Sequence, residues 1–340
     1  MRSFYKKNYL EDYILDEHSC MVILPLYRVQ IESVLKINEF IFVPIDYFDL
    51  DSVAFVDPFS STIRGSLTFI SGFDSPTLKV NPAVVFPYSL DWNKFFRCHS
   101  HKDDADLIRE LSYKVEYAMD LIRFECCNLS MYEDLPAKAG VWNNMGFSGA
   151  FIYNPNDNEA YRIGAKINTH LIVDGVGLEL PDSIAYEYDV DKGIGTIIKN
   201  ALAMYTDALE SSNNTSKYFR AISLIEFLAS PYETNNFKEV KSQVICHFAK
   251  DTTDYHRLSN RFQYLSGKKE QNKEIGYRTL IVHQGKRLED ILTSMEINSL
   301  FLELDRYIKN IISDLFLFQD KLWDDVLNYR TELKEKLNIK

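Results

Sequence analysis

No run in this sequence approaches the ~18 consecutive apolar residues that a membrane-spanning helix needs. The opening MRSFYKKNYLEDYILDEHS also lacks the unbroken apolar core of a secretory signal. Cysteine is scarce: Cys20, Cys98, Cys126, Cys127 and Cys246 are odd in number and scattered, unlike a disulfide framework. Together these absences lead us to expect a cytoplasmic protein with no membrane partner. GxSxG, HExxH and a DFG-like set are all missing, which leaves the common hydrolase, metalloprotease and kinase readings without residues. Positive charge is short as well. A formal net charge of −11 argues against a protein that coats nucleic acid by bulk electrostatics, because phosphate affinity comes from lysine and arginine displacing counterions.

What is present suits an ordinary folded chain. With 340 residues, 46% of them hydrophobic, there is material for two domains with a core each. NEFIFVPIDYFDL, SVAFVDP, GSLTFISGF and AVVFPYSL are short β-branched and aromatic runs bounded by Pro, Gly, Asp and Ser, and read as strands. Asp103 and Asp104 offer an N-cap to a helix whose apolar residues Leu107, Leu111, Val115, Ala118 and Ile122 recur at helical spacing. GAFIYNPNDNEAYRIGAKI reads as a hairpin turning at NPNDN. Residues 1–175 are therefore expected to form an α+β domain, a mixed sheet with one long packing helix.

From about residue 190 the pattern becomes helical, and residues 190–336 are expected to form an all-α bundle. Ile194, Ile197, Ile198, Ala201, Leu202, Tyr205, Ala208 and Leu209 make one stripe, and Phe219, Ile222, Leu224, Ile225 and Leu228 another, ended by Pro231. Further helices are expected over about 236–250, 253–266 and 270–284. A long one carries Phe301, Leu304, Ile308, Ile311 and Leu315, and an amphipathic tail follows.

Three places carry residues with chemistry. Cys98, His99 and His101, with Cys126 and Cys127 farther on, are ligands that zinc favours, but neither CxxC nor HxxxH occurs and adjacent residues rarely turn two side chains to one ion. We expect no metal and no other cofactor. Gly193 and Gly195 precede a helix and resemble a phosphate-binding turn only weakly, since no third glycine or P-loop lysine follows. The third place is GYRTLIVHQGK, residues 276–286. On an ideal helix Arg278 and His283 lie ~140° apart, so both reach one cleft only where the helix ends. Gly285 is the expected C-cap, which puts His283 in the last turn, beside Leu280, Ile281 and Val282 that the helix ought to bury. The stretch also sits in the chain's one basic segment: from His256 to Arg287 there are eight basic residues and two acids, a balance of +6 that leaves −17 on the remainder. On spacing alone the pair fits an exposed arginine and a capping histidine better than it fits a site.

The wider stretch, residues 217–286, resembles the HEPN superfamily, specifically its Apea-like group. Those domains place a helix of sLEfLl type before a later helix that ends in arginine, four to six residues, histidine and often glycine. Here the first is SLIEFLAS with Glu226, and the second is YRTLIVHQG. The resemblance implies a helical bundle over about 190–335 that forms a homodimer, with Arg278 and His283 of both copies lining one composite cleft. It implies a metal-independent endoribonuclease acting on RNA, in bacterial anti-phage defence or as a toxin, with an unidentified activator of the first domain. Arg278 and His283 are then the catalytic residues, and Thr279, Lys286, Arg287, Lys268 and Lys269 the RNA-binding ones. Active members commonly carry Asn, Asp or His directly after the arginine, where this chain has Thr279. The alternative is a catalytically inactive dimerisation or nucleotide-binding module.

Overall fold

SCMVILP is the strand on which the first half is built, and its lack of alternation has a physical cause. Val22, Ile23 and Leu24 are all fully buried, so both faces of this strand meet protein and no polar side is needed. The fold is that of a computed structural model, which describes residues 19–48, 54–55, 80–97, 101–130, 135–141, 147–157, 159–166, 178–184, 186, 193–233 and 235–339. The chain divides into two compact units, Met1–Cys126 with Glu133–Glu187, and Cys127–Tyr132 with Tyr188–Lys340.

In the first unit the strands are β1 (Ser19–Pro25), β2 (Val29–Gln30), β3 (Leu35–Ile37), β4 (Phe40–Val43), β5 (Ala54–Phe55), β6 (Ala83–Ser89), β7 (Phe147–Asn154), β8 (Glu159–Lys166) and β9 (Leu178–Glu179). Seven of them form one sheet in the order β3-β4-β6-β1-β7-β8-β5, antiparallel except for the β5–β8 pair, while β2 and β9 pair in parallel apart from it. β1 occupies the middle, with Val22 opposite Phe86 on one side and Ile152 on the other. The β7–β8 hairpin is as the sequence suggests, its turn held by the Asn154 amide donating to Asp157 and the Asn156 N–H donating to Asn154. The expected strand in GSLTFISGF lies outside the described residues.

Among the described residues two helices belong to this unit, α1 (Trp92–Arg97) and the 26-residue α2 (His101–Cys126). The second begins at His101, so Asp103 and Asp104 stand in its first turn rather than at its cap, where their charge still complements the helix dipole. Tyr161 of β8 donates to Asp104 at 2.9 Å, and the Phe40 and Tyr117 rings meet edge to face at 5.0 Å, fixing α2 against the sheet.

The second unit is helical: α3 (Gly195–Leu209), α4 (Asn214–Ala229), α5 (Phe237–Val244), α6 (Thr252–Leu265), α7 (Tyr277–Gln284), α8 (Ser294–Phe316) and α9 (Trp323–Lys336). Every residue of the predicted stripe from Ile194 to Leu209 is buried. Caps explain the starts: Asn213 accepts from Ser216, Asp251 from Asp254, and Asn236 and Thr293 each form a reciprocal box with Glu239 and Glu296. The helix expected over 270–284 is only half present. Gln271 and Asn272 take positive φ (49° and 66°) and close a two-residue hairpin between β10 (Lys269–Glu270) and β11 (Lys273–Glu274), leaving helix from Tyr277 onward.

The four-residue stretch Cys127–Ser130, continuous with α2, belongs to this helical unit and is gripped by buried charge. Asp305 of α8 accepts from the Leu129 N–H at 3.0 Å and from the Tyr205 hydroxyl of α3 at 2.5 Å. Lys309 donates to the Cys127 carbonyl at 2.7 Å, and Lys217 of α4, 1% exposed, donates to the Leu129 carbonyl at 3.1 Å. Burial pulls the Lys217 ammonium down to about 8 and pushes the Asp305 carboxyl up. No helix among the described residues is long and apolar enough to cross a membrane.

Candidate functional site

Helix α7 is held at its start by close backbone approach. Thr279 N–H donates to the Ser266 carbonyl at 3.1 Å and Ile275 N–H to that of Lys268 at 2.7 Å, so the chain entering α7 lies against the chain leaving α6. Gly276 makes this possible, because a Cβ there would sit 2.5 Å from the Gly267 Cα and 2.6 Å from the Lys268 nitrogen. Tyr277 is then fixed by the Arg261 guanidinium, which donates to its hydroxyl at 3.3 Å while forking onto Glu303 of α8 at 2.7 and 3.0 Å. At the other end Gly285 ends the helix in the left-handed region (φ 66°), its N–H donating to the Ile281 carbonyl at 3.0 Å. A Cβ at Gly285 would meet open space, so Gly285→Ala should cost only the left-handed backbone penalty, about 1 kcal/mol by denaturant unfolding.

Leu280 and Ile281 are buried, as expected, whereas Val282 is 55% exposed. The eight-residue helix has two turns and seats only one apolar edge; Val282 stands four residues after Arg278, on the face that stays open. Arg278 forms an ion pair through Nη1 with Glu226 of α4, the acid in the sLEfLl-like helix. With side chains 42% and 29% exposed, this pair contributes about 0.5–1 kcal/mol at most. Its consequence is geometric: it fixes one guanidinium nitrogen and leaves Nε and Nη2 for another acceptor. His283, in the last turn, is exposed.

The expected RNA-binding set is only partly available. Thr279 donates its hydroxyl to the Ser266 carbonyl at 3.3 Å and so serves the α6–α7 junction. Lys268 pairs with Glu270 at 2.8 Å and lies 3.7 Å from the centre of the Tyr264 ring. Lys269 is exposed but sits across the hairpin from Glu274. Lys286 and Arg287 are exposed immediately past Gly285. Within the basic segment Arg257, Arg261, Lys268 and Arg278 are all paired with carboxylates, Asp254, Glu303, Glu270 and Glu226, so the positive field is smaller than the sequence balance implies. Of the other four cations, Lys269 and Lys273 lie on the β10–β11 hairpin and Lys286 and Arg287 just past the C-terminus of α7.

No cluster of three or more His, Cys, Asp or Glu side chains among the described residues could hold a metal, and Cys98 and His99 lie outside those residues. Gly193 (φ 48°) is needed because a Cβ would come within 2.6 Å of the Lys321 carbonyl, and the Gly195 N–H donates to the Gln319 carbonyl at 3.3 Å, so this helix start is packed against its own unit.

The chain matches no protein-family model, no curated protein and no solved structure. Its functional reading therefore rests on the residues around α7. Spacing could place Arg278 and His283 at the two ends of that helix, but the pairing of Arg278 with Glu226, 52 residues away, had no local signal beyond the presence of an acid in SLIEFLAS.

Proposed function

We propose that the helical unit is a HEPN-type domain and that the protein is a metal-independent endoribonuclease whose site is completed by a second copy of the chain. The carrying observation is α7 itself, an eight-residue helix that fixes an arginine at one end through Glu226 and exposes a histidine at the other, beside the exposed cations Lys286 and Arg287. The chemistry suits these groups. Cleavage by the RNA's own 2′-hydroxyl needs a proton taken from that oxygen, another given to the departing 5′-oxygen, and relief of charge on the phosphorane between them. An imidazole can take either proton role, and the Nε–Nη2 edge of Arg278 matches two phosphate oxygens. One chain supplies one histidine, and two chains supply both an acid and a base. In this reading the first unit is a sensing or regulatory domain whose activator alters how two copies meet, as suits a cytoplasmic anti-phage effector or toxin.

The test is cleavage of RNA in EDTA, with Arg278→Ala and His283→Ala each expected to lose at least about a hundredfold in rate. Equal cleavage by the wild type and the double variant overturns the proposal. The second reading, an inactive dimerisation or nucleotide-binding module, is favoured by the neutralised Arg278 and the engaged Thr279 hydroxyl. It predicts no cleavage by any form, and monomers by light scattering once Arg278 and His283 are replaced.

A further inference from the structure

A buried arginine ties the C-terminal helix α9 to the rest of the helical unit. Arg330 is 0% exposed; it donates from Nη1 to the Ala229 carbonyl and from Nη2 to that of Leu228, both at 2.7 Å, and from Nε to the His247 Nε2 at 3.0 Å. The first two bonds satisfy carbonyls at the end of α4 that the helix itself leaves open. The third fixes a tautomer. A guanidinium has only donors, so Nε2 must accept, the imidazole proton sits on Nδ1, and Nδ1 donates to Asp314 of α8 at 2.7 Å. We propose that His247, Asp314 and Arg330 form an acid-sensitive latch that holds α9 onto the end of α4 and lets go when His247 gains its second proton.

The argument is steric and electrostatic. A proton on Nε2 would face the Arg330 Nε–H, replacing a hydrogen bond by two opposed donors and placing two cations in a buried site beside one carboxylate. The surroundings add little to relieve this. Arg330, Lys334 and Tyr329 face the imidazole from α9, Asp314 from α8, and Cys246 precedes it in the chain. From α6 Tyr255 faces Cys246, and from α5 Lys241 turns its ammonium to Ser259. Burial, first, and then the Arg330 charge hold His247 below its ordinary value against the opposing pull of Asp314, and burial lowers Arg330 to about 10. A histidine depressed in the fold contributes stability that is complete above its unfolded pKa of ~6.5 and is lost as pH falls below that value. Because Glu226 lies only two residues before Leu228 on α4, release of the latch frees the helix end next to the partner of Arg278. The latch stands on this geometry alone and is independent of the nuclease reading.

Hydrogen exchange on the full chain, with protection corrected for the intrinsic rate, tests it. Protection of α9 amides should fall about tenfold per pH unit below ~6.5, one proton being taken up on opening. His247→Gln, which keeps an acceptor for Arg330 and a donor for Asp314 but cannot titrate, should flatten that dependence. The same slope in wild type and variant, or no slope in the wild type down to pH 5, overturns the latch. Nitrogen NMR of the wild-type histidines gives a reading that does not depend on how the variant folds: the Nδ1–H tautomer at pH 7.5 supports the latch, and an Nε2–H form or a cation there overturns it.

Discussion

Asp305→Ala should lower the stability of the protein by about 3–5 kcal/mol, measured by denaturant unfolding of the full chain. The carboxylate of Asp305 joins α8, α3 and the Cys127–Ser130 stretch by accepting from Tyr205 and from the Leu129 N–H, and it lies 3.8 Å from the Lys309 ammonium. Alanine takes the acceptor from the Leu129 N–H, leaves the Tyr205 hydroxyl with only the Cys127 carbonyl at 3.1 Å, and removes the counter-charge from the half-buried Lys309 ammonium. Each loss carries a desolvation penalty that cavity formation only increases. Asp305→Asn retains an acceptor and loses only the charge, so its cost should fall between wild type and alanine. A change under about 1 kcal/mol for Asp305→Ala would mean that Lys217 and Lys309 hold the stretch through the Leu129 and Cys127 carbonyls without the carboxylate. The same comparison bears on Lys217: Lys217→Met removes an ammonium that burial already disfavours and should cost less than Asp305→Ala.

Gly276→Ala should separate α7 from the end of α6 and cost roughly 3 kcal/mol, because the added methyl meets backbone at 2.5, 2.6 and 2.7 Å and backbone cannot rotate away as a side chain does. The backbone at Gly276 is extended and open to any residue, so the whole effect is steric. Its informative part is local. Thr279 would lose its bonds to Ser266, Tyr277 would shift from Arg261, and Arg278 would be displaced from Glu226. Exchange protection in α7 should fall further than in α3, which shares none of these contacts. In the nuclease reading, a displacement of about 1 Å at Arg278 costs on the order of a hundredfold in cleavage. Uniform loss of protection across the helical unit would instead show that the α6–α7 crossing is part of one cooperative core.

The legible parts of the fold were those where a period or a cap carries the information. The α3 stripe reads directly because a helix with one side in the core must repeat its apolar residues every three or four positions. Gly285 reads as a helix end because few other residues sit comfortably at positive φ, and this places His283 in the last turn. The central strand β1 escaped the same reading, since a strand buried on both faces has no alternation to find. The hairpin at Gln271 and Asn272 escaped it too: its flanking lysines and glutamates fit an exposed helix as well as an exposed ribbon, and the close crossing of Gly276 over Gly267 is a contact between α6 and α7 that no local pattern announces.

Residue types and their spacing thus settled the class of each half, the identity of the chemically capable groups and the ends of most helices, all consequences of local geometry. The folded chain assigned the partners. It gave Arg278 to Glu226, Arg261 to Glu303, Lys268 to Glu270 and the carbonyls of α4 to Arg330, drawing on acids and helix ends as far as 102 residues away. Charge acts through space and burial through three-dimensional packing. An arginine in a sequence therefore declares that it can bind an anion, and only its neighbours in the fold determine which one it holds.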